Sequence, residues 1–352
     1  MSLILGIETS CDECSASVLH HEGQRLNPLS VATFSQIELH QPFGGVVPEV
    51  ASRNHLEQIE PVIFEALDRA KVEIADLDAI AVTNRPGLIG ALLVGVTAAK
   101  AMAYAKQKPL VPVHHLEGHL MSAFLHSEKH DPKRIEFPAV FLMVSGGHTH
   151  LHHIESAPDQ WSATLLRDSL IGRSIDDAAG EAFDKTAKIL GYPYPGGRWI
   201  DEASKGGDPK AFELPRGLKQ KDSFDFSFSG LKTAVLLLAK RLEQEKTLDA
   251  AIPDLCASIQ EAILDPLIQK ALLLARQKKA KSIVVVGGVA ANSRLRARLA
   301  AESPVPVMVP DLRYCTDNAA MIAAAGAIRF AQGQGLESSA FLKLNAFAIA
   351  EH

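Results

Sequence analysis

Positive charge is not in excess: 36 lysines and arginines against 41 aspartates and glutamates leave a formal charge of −5 over 352 residues. Whole-chain attraction to nucleic acid is thereby excluded, and any phosphate contact has to be local. Cysteine is scarce, with 4 in the whole chain. That excludes a disulfide framework and leads to an expectation of free thiols in a reducing compartment. No stretch reads as the roughly 18 consecutive apolar residues of a membrane helix. The opening MSLILGIETSCD also lacks the basic segment and cleavage pattern of a secretory leader. A cytoplasmic chain without membrane contact is expected.

Familiar nucleotide and metal signatures are missing too. Neither G-x-x-x-x-G-K-[ST] nor G-x-G-x-x-G occurs, so neither a P-loop nor a Rossmann mechanism is supported. One C-x-x-C is present, Cys11 to Cys14, without a second pair to complete a zinc site. Its flanks LILGIET and CSASVLH read as strands, which puts it at a hairpin turn.

What is present is a core-forming composition, 47% hydrophobic and 22% charged, at a length that suggests two domains. The same succession of elements is read twice. The first half gives strands at 3–8 and 14–20, a helix at 48–70, a strand at 78–83, a helix at 88–106 and a strand at 109–113. In the second half PAVFLMVSGGHTHLHHI gives strand, turn and strand. Helices follow at 178–190 and 253–278, then SIVVVGG, a helix from Asn292, VPVMVP, and an alanine-rich helix after Asp317. Two related α/β lobes follow from this plan, with largely parallel sheets to which the opening hairpins add antiparallel strands, and with the cleft between the lobes as the default ligand site.

Four loops rich in small residues sit where strands end. TSCDEC, with Ser10, Cys11, Asp12 and Glu13, and VSGGHTH each join two strands, and their amides could form an anion nest. NRPGLIG and VGGVAANSR run from strand to helix, setting Gly87, Gly90, Gly287 and Gly288 at helix N-termini. Tight turns and close helix packing explain any one of these glycines equally well.

In VPVHHLEGHLMSAF, His115 and His119 stand at i and i+4 of a helix, which places them on one face about 5–6 Å apart at Cβ. Two imidazoles at that spacing can chelate one ion, or they can be ordinary helix surface. Glu117 lies between them and points away, so the H-E-x-x-H of zinc proteases is not formed. Gly118 costs the helix about 1 kcal/mol relative to alanine, which is reasonable where another group approaches closely. Asp317 opens the last helix either as a ligand or, with Thr316, as an N-cap.

SIDDAAGEAFDKTAKILGYPYPGG reads as a helix capped by Asp176 or Asp177, with Glu181–Lys185 and Asp184–Lys188 spaced as ion pairs. A rigid turn and Asp201 follow. Between about 204 and 230 the composition is loop-like. Lys205, Lys210, Arg216, Lys219 and Lys221 alternate with Phe212, Phe224, Phe226 and Phe228. This segment reads as a polynucleotide-contacting insert or as buried phenylalanines under a basic edge.

Taken in order, GIETSCDE, VPEVASRNHLEQI, PGLIGALLVG, HHLEGHL, VSGGHTHL, SIDDAAGEAFDKTAKILGYPYPGG, FSFSGLKTAV, GGVAANSRLR and CTDNAAMIA resemble the TsaD family, the tRNA N(6)-adenosine threonylcarbamoyltransferases once labelled glycoproteases. The resemblance implies an α/β, two-lobed actin/Hsp70/sugar-kinase-like fold with RNase H-like lobes and a central cleft. Its division here would be a first lobe at 1–130 and a second at 131–347. It also implies one Fe(2+) or Zn(2+) ion per subunit, held by His115, His119 and Asp317. Met143, Val144, Ser145, Gly146 and Gly147 would surround the threonylcarbamoyl-phosphate part of threonylcarbamoyl-AMP. Asp184, Gly197, Asp201 and Asn292 would hold its nucleoside. The implied reaction passes the threonylcarbamoyl group to the adenosine next to the anticodon of tRNAs reading codons that start with A. A TsaB-like paralogue and a TsaE-like ATPase are the implied partners. An actin-like ATPase or kinase, and a metalloprotease, are the alternative classes.

Two positions depart from the family pattern: Cys14 stands for threonine, and Arg85 for the first glycine of Gly-Pro-Gly. If that glycine had positive φ, Arg85 would be strained there; otherwise it is a cation available to a phosphate.

Overall fold

The computed structural model describes residues 1–128, 130–162, 164–218 and 223–349. Along the chain run β1 (Ser2–Glu8), β2 (Glu13–Glu22), β3 (Arg25–Pro28), β4 (Ala32–Ser35), α1 (Pro48–Ala70), β5 (Ala79–Arg85), α2 (Ile89–Lys106), β6 (Leu110–His114) and α3 (His115–Ser122). Then come β7 (Ala139–Val144), β8 (Thr149–Ile154), β9 (Leu170–Arg173), α4 (Ala179–Ile189), α5 (Gly196–Ala203), α6 (Ser229–Gln244), α7 (Leu248–Gln277), β10 (Ser282–Val286), α8 (Ser293–Glu302), β11 (Val307–Met308) and α9 (Ala319–Ala331).

These elements form two units. The first is Met1–Arg134 with Ala157–Leu166 and Pro310–His352; the second is Ile135–Ser156 with Arg167–Val309. The expected boundary at 130 is close, but a second lobe running to 347 is corrected. Gly6 of β1 has no side chain, and a Cβ there would stand 2.3 Å from the Ala319 carbonyl oxygen and 2.6 Å from the Ala323 nitrogen. That absence lets α9 lie directly on the first sheet and returns the C-terminal segment to the first unit.

In the first unit the sheet order is β3-β2-β1-β5-β6, with β4 also paired to β2. β1 pairs antiparallel with β2 and parallel with β5. The second unit repeats the plan as β9-β8-β7-β10-β11, antiparallel between β7 and β8 and parallel between β7 and β10. Strands buried on both faces explain the continuous apolar runs AVFLMV and SIVVV, every residue of which is buried. The order of elements read from the sequence is present in both units, with β3, β4 and β9 added. The expectation of largely parallel sheets is corrected to mixed ones, because β2, β3, β4, β8 and β9 all pair antiparallel.

The expectation about membrane-length apolar segments is corrected at one place. α2 is 18 residues and apolar enough, by length and composition, to cross a membrane. Its Leu92, Val96, Ala99 and Ala103 pack into the first unit's core with Ile59, Val62 and Ile63 of α1. Small residues let it sit close: a Cβ at Gly95 would lie 2.4 Å from Thr9 Oγ1.

None of the four cysteines is in a disulfide, and Cys14 is fully buried in β2. Arg85 is absent from the residues with positive φ, so the anticipated strain does not arise; its guanidinium carbon lies 5.0 Å over the Phe347 ring.

Candidate metal centre and substrate loops

β6 leads directly into α3, so His115 occupies the first turn of the helix and His119 the next. Both are buried, at 5% and 0% exposure, and their rings meet edge to face at 4.7 Å. Asp317 comes from the approach to α9. The cap of α9 is Asn318, whose Oδ1 accepts from the Met321 amide at 3.1 Å, so the N-cap alternative for Asp317 or Thr316 is not the one formed. The Asp317 carboxylate stands 3.3 Å from His119 Nε2 and 3.7 Å from His115 Nε2.

The three potential ligand atoms lie within 4.8 Å of one another, an arrangement that could hold a metal ion. Neither ring nitrogen of His119 has a hydrogen-bond partner although both are buried, and leaving such atoms unsatisfied is costly unless something binds there. Two imidazoles and a carboxylate suit iron or zinc and leave further positions open for substrate.

Gly118 is explained by the neighbouring helix: a Cβ there would meet Ile322 Cδ1 at 2.7 Å and Met321 Cγ at 3.2 Å. On the opposite side of α3, Glu117 accepts from Arg329 Nε at 2.9 Å on both carboxylate oxygens. Helices α3 and α9 are thus tied together, and the carboxylate of Glu117 is engaged in that tie.

Sequence reasoning missed Glu8. This fully buried carboxylate has its Oε2 3.0 Å from His115 Nδ1. Burial pushes Glu8 upward, but the His115 charge and hydrogen bonds leave it below the usual carboxylate range. Burial likewise pushes His115 down, and the carboxylates of Asp317 and Glu8 overcome that and raise it to about 9. The available signal was one charged residue closing the otherwise apolar strand SLILGIE.

The loop at 10–13 is engaged internally. The Ser10 amide donates to Glu8 Oε1 at 2.6 Å, so that amide does not serve the expected anion nest. Burial, and next the Asp12 carboxylate, push the Cys11 thiol well above its usual range, which makes it a poor nucleophile. Packing also accounts for two loop glycines: a Cβ at Gly87 would be 2.6 Å from the Ser10 carbonyl oxygen, and one at Gly90 2.4 Å from Ser52 Oγ.

In the second unit, Met143 and Val144 end β7, and Ser145 turns the chain with its amide donating to the His148 carbonyl at 2.8 Å. Gly146 and Gly147 differ from the packed glycines: a Cβ on either would meet nothing within 4 Å. Gly287, at φ +93, abuts this loop, its Cβ position 2.4 Å from the Val144 carbonyl oxygen.

Asp184 Oδ1 accepts from the Gly196 amide at 2.6 Å, beside Gly197. Asp201 accepts from the amide and hydroxyl of Ser293 at 3.0 and 2.8 Å. Asn292 caps α8 through the Leu295 amide at 2.9 Å and donates to Gln260 Oε1 at 2.7 Å. Asp184 is so brought beside Gly197, and Asp201 beside Asn292.

Nearby readings need adjustment. Asp176 does not cap α4; it accepts from Ser227, Phe228 and Ser229 at the start of α6. Lys185 pairs with Glu181 at 2.8 Å, as expected. Phe226 and Phe228 are buried at 0% and 3% exposure, so they belong to the core and are not base-stacking surface. Arg216 pairs with Asp265, while Lys219 and Lys221 lie outside the described residues.

A mixed sheet repeated in each of the two units, with helices between its strands, defines an α/β protein of the actin-like fold. The (R)-2-hydroxyglutaryl-CoA dehydratase component A of Acidaminococcus fermentans shares that fold, with a TM-score of 0.52 at 16% identity, covering 97% of this chain and 100% of that one. The sequence comparisons are more particular. The family model described as TsaD, tRNA N6-adenosine threonylcarbamoyltransferase, matches residues 28–324. The enzyme of that name from Anaeromyxobacter dehalogenans (strain 2CP-C) is 50% identical over 338 residues, 95% of this chain and 96% of the relative. That from Bacillus cereus (strain ATCC 10987 / NRS 248) is 48% identical over 349 residues, 98% and 95% of the two chains. The chain belongs to the TsaD family and is a transferase that modifies tRNA.

Proposed function

We propose that this chain transfers the L-threonylcarbamoyl group from threonylcarbamoyl-AMP to the exocyclic amine of the adenosine next to the anticodon, in tRNAs reading codons that start with A. The observation that carries the reading is the cluster of buried His115 and His119 with half-buried Asp317, in which His119 Nδ1 has no hydrogen-bond partner and Nε2 faces the Asp317 carboxylate at 3.3 Å. One Fe(2+) or Zn(2+) ion per subunit is the proposed occupant. When bound, it supplies a Lewis acid that holds the threonylcarbamoyl group and polarises it.

The chain's own residues do the rest. Gly146 and Gly147, open on their side-chain side, let a substrate approach the backbone, and amides around Ser145 hold the carbonyl or phosphate. Asp184, Gly197, Asp201 and Asn292 hold the nucleoside. The amine nitrogen bonds to the carbamoyl carbon, the bond to the phosphate oxygen breaks, and AMP leaves with that electron pair while the amine proton passes to solvent. The adenylate is already activated, so alignment and charge stabilisation are the principal tasks. No covalent enzyme intermediate is needed, consistent with the raised Cys11 thiol.

Partner proteins are part of the proposal. At −5 the chain alone has weak attraction for tRNA, and productive binding is assigned to a cytoplasmic complex with a TsaB-like paralogue and a TsaE-like ATPase. Leu56 and Phe64 of α1 and Leu93 of α2 are exposed at 70%, 53% and 47%. This apolar surface on the first unit supports docking of the paralogue there.

The test is transfer of labelled threonine from threonylcarbamoyl-AMP to unmodified tRNA by the metal-loaded complex. Label is expected in tRNA with the wild type and absent with His115→Ala/His119→Ala; equal labelling by both would remove the histidines from the reaction.

A further inference from the structure

We propose that Glu8 is a positioning residue of the metal centre: its carboxylate fixes the ring of His115 with Nδ1 protonated, so that Nε2 is the ligand atom. The inference rests on the metal reading of His115, His119 and Asp317 and adds a residue that the ligand set does not contain.

Glu8 closes β1 and is 0% exposed. A carboxylate buried this completely needs a full set of donors to be tolerated. Oε1 accepts from the Ser10 amide at 2.6 Å. Oε2 accepts from Thr83 Oγ1 at 2.7 Å and lies 3.0 Å from His115 Nδ1. An ionised carboxylate only accepts, so the proton of this last contact belongs to Nδ1; the Ser10 hydroxyl, 3.1 Å from the same nitrogen, is then a second acceptor for that proton. The other nitrogen, Nε2, is the one facing Asp317, at 3.7 Å.

The chemistry leaves little freedom for replacement. Ser10 and Thr83 approach the carboxylate as donors on its two oxygens, and His115 joins them on Oε2. A glutamine has one acceptor oxygen and one NH2 group, so one of its two ends would face a donor. A hydrogen-bonded carboxylate behind a histidine orients the ring and raises its basicity as a ligand. His119 has no carboxylate behind it in this way: its Nδ1 has no hydrogen-bond partner and its Nε2 faces Asp317 at 3.3 Å, so His115 is the ligand whose ring is oriented from behind.

The experiment compares wild type, Glu8→Gln and Thr83→Val, each in the partner complex, by zinc affinity against a competing chelator and by the histidine nitrogen signals of the zinc-loaded protein. Wild type is expected to show His115 with Nδ1 protonated and Nε2 on the metal. Glu8→Gln is expected to fold with zinc affinity lowered about 10–100-fold, and transfer recovers at saturating zinc. Thr83→Val, which removes one donor to Glu8 and leaves the proposed ligands in place, shifts affinity in the same direction by less. Unchanged affinity and unchanged His115 signals in both variants would overturn the positioning role while leaving the metal centre standing. Wild type binding zinc through His115 Nδ1, or not at all, would overturn both. If Glu8→Gln does not fold, the Thr83→Val affinity decides alone: lowered supports the role, unchanged overturns it.

Discussion

The tie between Glu117 and Arg329 lends itself to a quantitative test of what HHLEGH does. Its two side chains are 14% and 21% exposed, and the guanidinium Nε reaches both carboxylate oxygens at 2.9 Å. Removing one member of a well-buried pair costs about 3–5 kcal/mol. The residual exposure here screens part of that, leaving about 2–3 kcal/mol for Glu117→Ala. Glu117→Gln keeps one acceptor and should lose about half as much. In a double-mutant cycle with Arg329→Met, followed by urea unfolding, a coupling of about 1–3 kcal/mol is expected. Transfer per folded molecule should stay within a few-fold of wild type for Glu117→Gln at saturating metal. A coupling below about 0.5 kcal/mol would refute the structural tie. A transfer loss of about 10²–10⁴, the size associated with a general base, would refute the assignment of Glu117 to structure.

Other consequences can be measured directly. His152 is buried without charge partners and held down at about 4; because this lies below the unfolded value, its contribution is complete above about pH 6.5 and is lost as pH falls towards 4. That amounts to about 3 kcal/mol, and urea midpoints of His152→Leu should fall less than those of wild type over that range. Cys11→Ser should retain transfer, and trapping of the reaction should yield no thiol-bound threonylcarbamoyl group. Gly146→Ala should leave the unfolding midpoint within about 0.5 kcal/mol of wild type, since the added methyl meets no protein atom, while weakening transfer from the adenylate.

Local pattern made much of this protein readable. The limits of α1 at 48 and 70 follow from proline at the first turn and from Lys71 in the left-handed conformation just beyond. Apolar runs located β7 and β10, and the i,i+4 spacing put His115 and His119 on one face. Long-range partners were not readable in the same way. Arg329 lies 212 positions from Glu117, and no local signal joins them. The return of Pro310–His352 to the first unit depends on Gly6 meeting α9, and the capping duty of Asn318 in place of Asp317 was settled by a one-residue shift in where the helix begins. Glu8 was legible only as an anomaly, a charge at the end of an apolar strand, because its purpose depends on His115 more than a hundred positions away.

The central claim is that His115, His119 and Asp317 hold one ion that threonylcarbamoyl transfer requires. The most direct test titrates the metal-stripped complex with zinc or iron, following bound metal and labelled tRNA together in wild type and Asp317→Asn. Transfer should rise in proportion to occupancy and saturate at one ion per chain in wild type, with both lost in the variant. Full transfer by a chain carrying no bound metal would contradict the account.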